Sequence, residues 1–367
     1  MKPVLIAVLF CLIGTTIHAQ RADKNANHRV DTFIKARMQA LGIPGMAVAV
    51  IKNGKVIKQS CYGIANMEWN RKVGPHSVFQ VASVTKLLTS TLLLRTIAAG
   101  RIGPDDPVSA YIDSIPAAWK PLKIKHLVTH SSGLREFRSD NYAPVDAVVR
   151  ALKDSTLEYY PGTGQHYAQS DFMLLGFILE KIYDKPYTEL HRNEVASPLQ
   201  MDDGGYDMEQ KVGSFLRTRL LPEKVTTYYE TGGTRMAYKF SYPQFNYTAG
   251  GYFASITDMA RWAVGLDKET IVDHLTADSL VYERDSLGSK LSDYTRAGWI
   301  PENENGIRYV GHSGGPGLAD GLRFPDQGYT LIVLCNDGEI LPYFARAIAA
   351  FYIKELSPRL QMEKFER

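Results

Sequence analysis

Val310–Gly317 reads VGHSGGPG, and the role given to its serine decides the fold. Gly311-His312-Ser313-Gly314-Gly315 fits G-x-S-x-G, the pattern of a nucleophile elbow between a strand and a helix. The same letters also fit a glycine-rich strand that lines a site whose nucleophile lies elsewhere.

The elbow fails on chain order and on local structure. An α/β-hydrolase places its histidine after the serine, and the last histidine of this chain is His312 itself. The elbow also needs a helix directly after the serine, which GGPGLADG (314–321) cannot supply. A chymotrypsin-like order, with histidine and aspartate upstream, would need an all-β chain. The helical patterns at 83–99 and 170–183 exclude that.

A stronger nucleophile lies upstream in FQVASVTK (79–86). Ser83-Val-Thr-Lys86 is S-x-x-K at the start of an apolar helical stretch, so the lysine stands one turn beyond the serine on the same face. A serine hydroxyl becomes nucleophilic only when a base takes its proton. A lysine serves as that base where burial or a helix N-terminus favours its neutral form. Alone, the four-residue match is weak. Its place at the first turn of a helix that is apolar nearly all round gives it weight.

The whole chain is consistent with a large exported domain. It has 367 residues, 45% of them hydrophobic, with 42 Lys+Arg against 39 Asp+Glu and no basic block of the kind nucleic-acid binding needs. Lys2, the apolar run Val4–Ile13 and the following GTTIHAQ read as a signal peptide, residues 1–19, cleaved after Ala19. The run is shorter than the roughly 20 residues of a membrane span, and Phe10 before Cys11 argues against a lipoprotein. The expected location is the periplasm or the outside. Two cysteines remain, Cys61 and Cys335, too few for a disulfide framework.

Along the mature chain, 28–41 patterns as an amphipathic helix, and GMAVAVIKNGKVIKQSCYG (45–63) as two strands joined at Asn53-Gly54. Residues 83–99 form a helix closed by Gly100. SDFMLLGFILEKIYD (170–184) is a helix with Ser170 as N-cap. Between about 100 and 290, helices alternate with long loops. Past 297, GIRYVGHSG, ADGLRFP and YTLIVLC are strands, and ILPYFARAIAAFYIKEL (340–356) is a last helix. The expectation is an α+β fold: an antiparallel sheet from both termini (about 28–80 and 297–355) flanked by helices, with a mainly helical part (about 83–290) inserted, and a tail at 356–367. His126-Leu-Val-Thr-His130 has the spacing of a zinc helix, but Leu127 stands where the glutamate base must be. Neither a metal nor a cofactor is expected.

FQVASVTK, LVTHSSGL (127–134), PGTGQHYAQSDFMLLG (161–176) and GHSGGPG (311–317) together resemble the ordered motifs of the serine β-lactamase and penicillin-binding-protein superfamily, in its class C β-lactamase-related branch of esterases and D-aminopeptidases. The resemblance runs over about 28–355 and implies the β-lactamase/transpeptidase-like fold. It implies Ser83 as acylated nucleophile, Lys86 as base partner and Tyr167 as the tyrosine of Tyr-x-Asn. Gln169 stands where that motif has asparagine. His312-Ser313-Gly314 match Lys-Thr-Gly, and the backbone N–H groups of Ser83 and Gly315 form the oxyanion hole. It also implies a strand between Cys61 and Cys335, hence free thiols, and a structural role for His130. A histidine in place of lysine attracts a substrate carboxylate less. The implied activity is hydrolysis of small ester or amide/D-peptide substrates through an acyl-enzyme. The alternatives are a true β-lactamase or D,D-carboxypeptidase, and a non-catalytic binder of penicillins or peptidoglycan fragments. Tyr228, Tyr229, Tyr238, Tyr242 and Tyr247 line the cleft or merely pack.

Overall fold

A computed structural model describes residues 24–137, 142–315, 318–338 and 344–358. The expected signal peptide with Cys11, the pair Pro316-Gly317 and most of the 356–367 tail lie outside them.

The two chain ends build one sheet. Its seven antiparallel strands run in the order Ile300–Glu304, Ile307–Gly314, Ala319–Phe324, Tyr329–Cys335, Gly45–Lys52, Lys55–Asn66, Arg71–Lys72. The central pair joins Met46 to Cys335 and Lys52 to Tyr329. Asn53 and Gly54 both take positive φ, 47° and 69°, the type I′ geometry that matches the twist of a two-residue hairpin. Cys61 and Cys335 each oppose the Gly45–Lys52 strand from different sides, and both thiols are free.

Strand alternation gives the sheet two apolar faces. Met46, Val48, Val50, Leu331 and Val333 pack with Val30 and Ile34 of α1 (24–41) and with Phe344 and Ile348 of α9 (Phe344–Ala349). Ala47, Ala49, Ile51, Ile332 and Leu334 face the other way. They share one apolar cluster with the helices α2 (Thr85–Ala98), α3 (Ile124–Val128), α4 (Val145–Lys153), α5 (Gln169–Tyr183), α6 (Tyr187–His191), α7 (Ile256–Asp267) and α8 (His274–Val281). The inserted helical part and the sheet therefore share a continuous core.

α2 runs through that core, buried on nearly every side. Its polar side chains are satisfied locally: Thr89 Oγ1 donates to the Thr248 carbonyl (2.7 Å), and Thr91 Oγ1 accepts from Trp262 Nε1 (3.0 Å). Three local expectations change. Ser170 does not cap α5; the N-cap is Ala168, and Ser170 Oγ instead accepts from the Phe137 N–H at 2.6 Å. The last helix ends at Ala349, and the chain tightens into short turns over Phe351, Tyr352 and Ile353, aromatic and β-branched residues with low helix propensity. The middle of the chain also contains two-stranded hairpins, Gln210–Val212 with Phe215–Arg217 and Thr227–Thr231 with Thr234–Tyr238, where only helices and loops were expected.

Candidate active site

Ser83 lies in the 3-10 turn Ala82–Val84 that leads into α2. Ala82 before it has φ 45°, the left-handed region, which costs a non-glycine residue on the order of 1–3 kcal/mol. The turn is pinned from the far side by Gly314, where a Cβ would come within 2.2 Å of the Val81 carbonyl oxygen. No side chain larger than hydrogen fits there, so the 307–314 strand abuts the serine turn directly.

Lys86, one turn along, is buried beneath the serine turn. Its Nζ donates to Gln169 Oε1 (2.8 Å) and to the Ala249 carbonyl (2.7 Å). The ammonium also stands 4.8 Å from the centroid of the Tyr167 ring and 5.3 Å from that of Phe172. Tyr167 completes the group, its hydroxyl donating to Ser83 Oγ at 2.9 Å. Gln169 turns Oε1 toward the donating Nζ of Lys86, and its NH2 remains a donor. The extra methylene of Gln169 relative to asparagine is thus taken up without losing the lysine.

A neutral pair supports Tyr167 from behind. The Ala168 N–H donates to His130 Nδ1 (3.3 Å), and Asp171 Oδ2 lies 2.9 Å from the same nitrogen. Burial pushes the Asp171 carboxyl well up and the His130 imidazole well down, each toward its neutral form. Ser132 Oγ donates to the other carboxyl oxygen. The His130 ring packs 4.6 Å from Tyr167 and 4.9 Å from Tyr294, centroid to centroid. The α5 N-terminus is held by Glu136, which accepts the Gln169 N–H at 2.6 Å. Ala249, Asp171, Ser132, Tyr294 and Glu136 were missed in the sequence. A carbonyl carries no side-chain signal, and the others lie in loops or on helix faces whose partners are set only by packing.

The opposite wall is His312, only 5% exposed. Its Nδ1 lies 2.7 Å from the Ser313 carbonyl. A carbonyl only accepts, so Nδ1 carries the proton and Nε2 is a lone-pair acceptor with no partner among the described residues. Burial, and then the nearby charge of Lys86, lower the pKa of His312 to about 3. The wall is uncharged.

Ser313 departs from expectation. Neighbours on a strand face opposite sides, and Ser313 Oγ donates to Asp320 Oδ1 (3.0 Å) on the α9 face of the sheet. Asp320 Oδ2 accepts the Ala345 N–H of α9, and burial raises its carboxyl to about 7. The side chain of Ser313 therefore braces the strand from behind and does not line the cleft. Gly315 lies at the end of that strand, in open space. Tyr247 is buried and Tyr242 half-buried, and Tyr228 OH accepts from the Met67 N–H at 2.6 Å. His126, the other member of the i, i+4 histidine pair, accepts from the Lys123 N–H (3.2 Å), away from the partners of His130.

The Beta-lactamase family model matches residues 30–350. The chain belongs to the beta-lactamase family. That family lies within the serine hydrolase superfamily, and the fold is the β-lactamase/penicillin-binding-protein one. Protein flp of Staphylococcus aureus (strain MW2) is 25% identical over 339 residues, 88% of this chain and 66% of that protein. Teichoic acid D-alanine hydrolase of Staphylococcus aureus (strain MRSA252) is 25% identical over 65% of this chain and 58% of its own length. This family member thus spans about two thirds of the length of Protein flp. Among solved structures, the octameric penicillin-binding protein homologue from Pyrococcus abyssi superposes with a TM-score of 0.74 at 24% identity, covering 90% of this chain and 78% of that one.

Proposed function

We propose that this protein is an exported serine hydrolase that forms an acyl-enzyme on Ser83 and removes small acyl groups, D-aminoacyl groups among them, from ester or amide substrates. The observation that carries the proposal is the 2.9 Å contact between Tyr167 OH and Ser83 Oγ, with Lys86 fixed one turn beyond.

Oγ of Ser83 attacks the substrate carbonyl carbon, and its proton passes to the Tyr167 oxygen as the hydroxyl proton of Tyr167 moves on to the leaving group, so the tyrosine relays a proton and stays neutral. Lys86, against the tyrosine ring, holds that ring in place for the relay. The carbonyl oxygen becomes an oxyanion held by the backbone N–H groups of Ser83 and Gly315. The C–O or C–N bond breaks, and the leaving group takes the proton from Tyr167. Water then repeats the sequence on the acyl-enzyme: it loses a proton to Tyr167, attacks, and the proton returns to Ser83 Oγ as the acid leaves. The NH2 of Gln169 is placed to donate to the substrate. Neither a metal nor a cofactor enters these steps.

The substrate class follows from the strand wall. A neutral His312 does not attract a carboxylate as a lysine would, so substrates without a carboxylate beside the scissile bond are favoured over β-lactams and D,D-peptides. A relative named as a teichoic acid D-alanine hydrolase supports a D-alanyl ester as one such substrate. The apolar run Val4–Ile13 supports export.

Intact-mass analysis with peptide mapping after a fluorophosphonate probe tests this. One adduct on Ser83, absent from Ser83→Ala, is expected. An adduct on Ser313 would overturn every assignment above. A stoichiometric acyl-enzyme that never clears would make the protein a binder.

A further inference from the structure

Residues 210–222, QKVGSFLRTRLLP, stand out from the rest of the surface. They form the hairpin Gln210–Val212 with Phe215–Arg217, which among the described residues pairs with no other strand. Its side chains face water: Leu220 is 89% exposed, Phe215 73%, Leu216 49% and Val212 41%. Lys211, Arg217 and Arg219 are interleaved with them, and no carboxylate occurs between 210 and 222. Among the described residues, these three cations form no ion pair.

The base of this hairpin is firmly held. Asp207 pairs with Lys224 (2.7 Å) and Lys239 (2.5 Å). Glu209 accepts from the Tyr142 hydroxyl (2.8 Å) and the Tyr242 N–H (3.2 Å). Tyr242 in turn packs on Gly250, beside the Ala249 carbonyl that holds Lys86. An apolar, cationic tip thus projects from a base anchored to the catalytic cleft.

We propose that the 210–222 hairpin docks on an anionic lipid surface, with Phe215, Leu216 and Leu220 entering the interface and Lys211, Arg217 and Arg219 meeting the headgroups. Both halves of the chemistry point to this occupant. A soluble polyanion would use the cations but leave the apolar side chains wet. A symmetric contact with a second copy would bury the apolar side chains but set three cations against three. A bilayer of anionic lipid satisfies both. The inference is independent of the reaction proposed above and locates the reaction beside a membrane.

Co-sedimentation of the purified chain with vesicles tests it. Binding is expected to phosphatidylglycerol/phosphatidylcholine vesicles and not to phosphatidylcholine alone, and added salt should weaken it. Phe215→Ser with Leu220→Ser should lower binding by at least about tenfold. The melting midpoint and turnover of a small soluble ester should stay at wild-type values. Leu275→Ser, which removes a 71% exposed leucine elsewhere, should bind like wild type. Absence of binding to the anionic vesicles, or equal loss in the Leu275 variant, overturns the proposal. So does concentration-dependent dimerisation that the double variant abolishes, because the patch would then belong to a second copy.

Discussion

The two walls of the cleft are built on opposite principles. On the helical wall, Ser83, Lys86, Tyr167 and Gln169 are bonded to one another, with a second layer of Asp171, His130 and Ser132 behind them. On the strand wall, the His312 side chain bonds to the carbonyl beside it, and its Nε2 is buried without a partner among the described residues. A wall whose polar groups are mutually satisfied has one geometry, as bond-making requires. On the proposed mechanism, proton transfer falls to the helical wall, while the strand wall contributes the Gly315 N–H and the neutral His312.

The sharpest way to break this division is Tyr167→Phe. The ring stays against Lys86 and His130, while the hydroxyl on Ser83 is lost. The rate of acylation should fall by about 10²–10⁴ with the melting midpoint unchanged. A loss below tenfold in single-turnover kinetics would move proton transfer to Lys86 alone and spoil the picture of a fully coupled wall.

His312→Lys probes the other side. A lysine there brings a cation where the protein has a neutral ring, and it should improve discrimination in favour of carboxylate-bearing substrates by about tenfold in kcat/KM. Burial holds His312 near 3. The wild-type pH profile between 5 and 8 should therefore lack a step that the His312→Gln variant removes. Such a step would show that His312 titrates in the working range and that the wall carries charge.

The back of the strand bears on stability and least on turnover. Asp320 titrates at about 7 when folded, against about 3.9 for an unperturbed aspartate. The folded state therefore holds a proton that the unfolded chain has already lost. The stabilising contribution is full below about pH 4 and fades as pH rises to about 7, by up to roughly 4 kcal/mol. Asp320→Asn cannot titrate. Its melting midpoint, compared with wild type, should gain a few degrees across that window while turnover changes little. A difference that stays flat with pH would mean that Asp320 is ionised in the fold.

Much of this arrangement could be read from the letters. S-x-x-K at the start of an all-round apolar stretch is a local pattern, and α2 is buried accordingly. Asn-Gly between alternating residues likewise led to a type I′ turn. Ser313 shows where the reading stopped short. His312 and Ser313 are adjacent on a strand, so only one could point into the cleft. Which one did depended on the register with Asp320 and Gly321, a long-range fact. Ser170 was read as a cap because serine often is one. The capping position went to Ala168, with Glu136 holding the Gln169 N–H, and a loop residue more than thirty positions away leaves no local trace. The hairpin at 210–222 was hidden for a different reason. Its strands are three residues long, too short for alternation to register.

The Gly45–Lys52 strand pairs with Tyr329–Cys335, nearly three hundred residues later. On a ribosome or a translocation channel, the first strand emerges long before its neighbour exists. Until the last tenth of the chain arrives, it has only the hairpin partner Lys55–Asn66 on one edge and an open edge on the other. The central layer therefore cannot close until Tyr329–Cys335 has been made. Its contact order favours slow, late closure of the sheet. Delay of that kind keeps a chain threadable, and it also means that a stop codon before Tyr329 would leave a sticky fragment rather than a smaller enzyme.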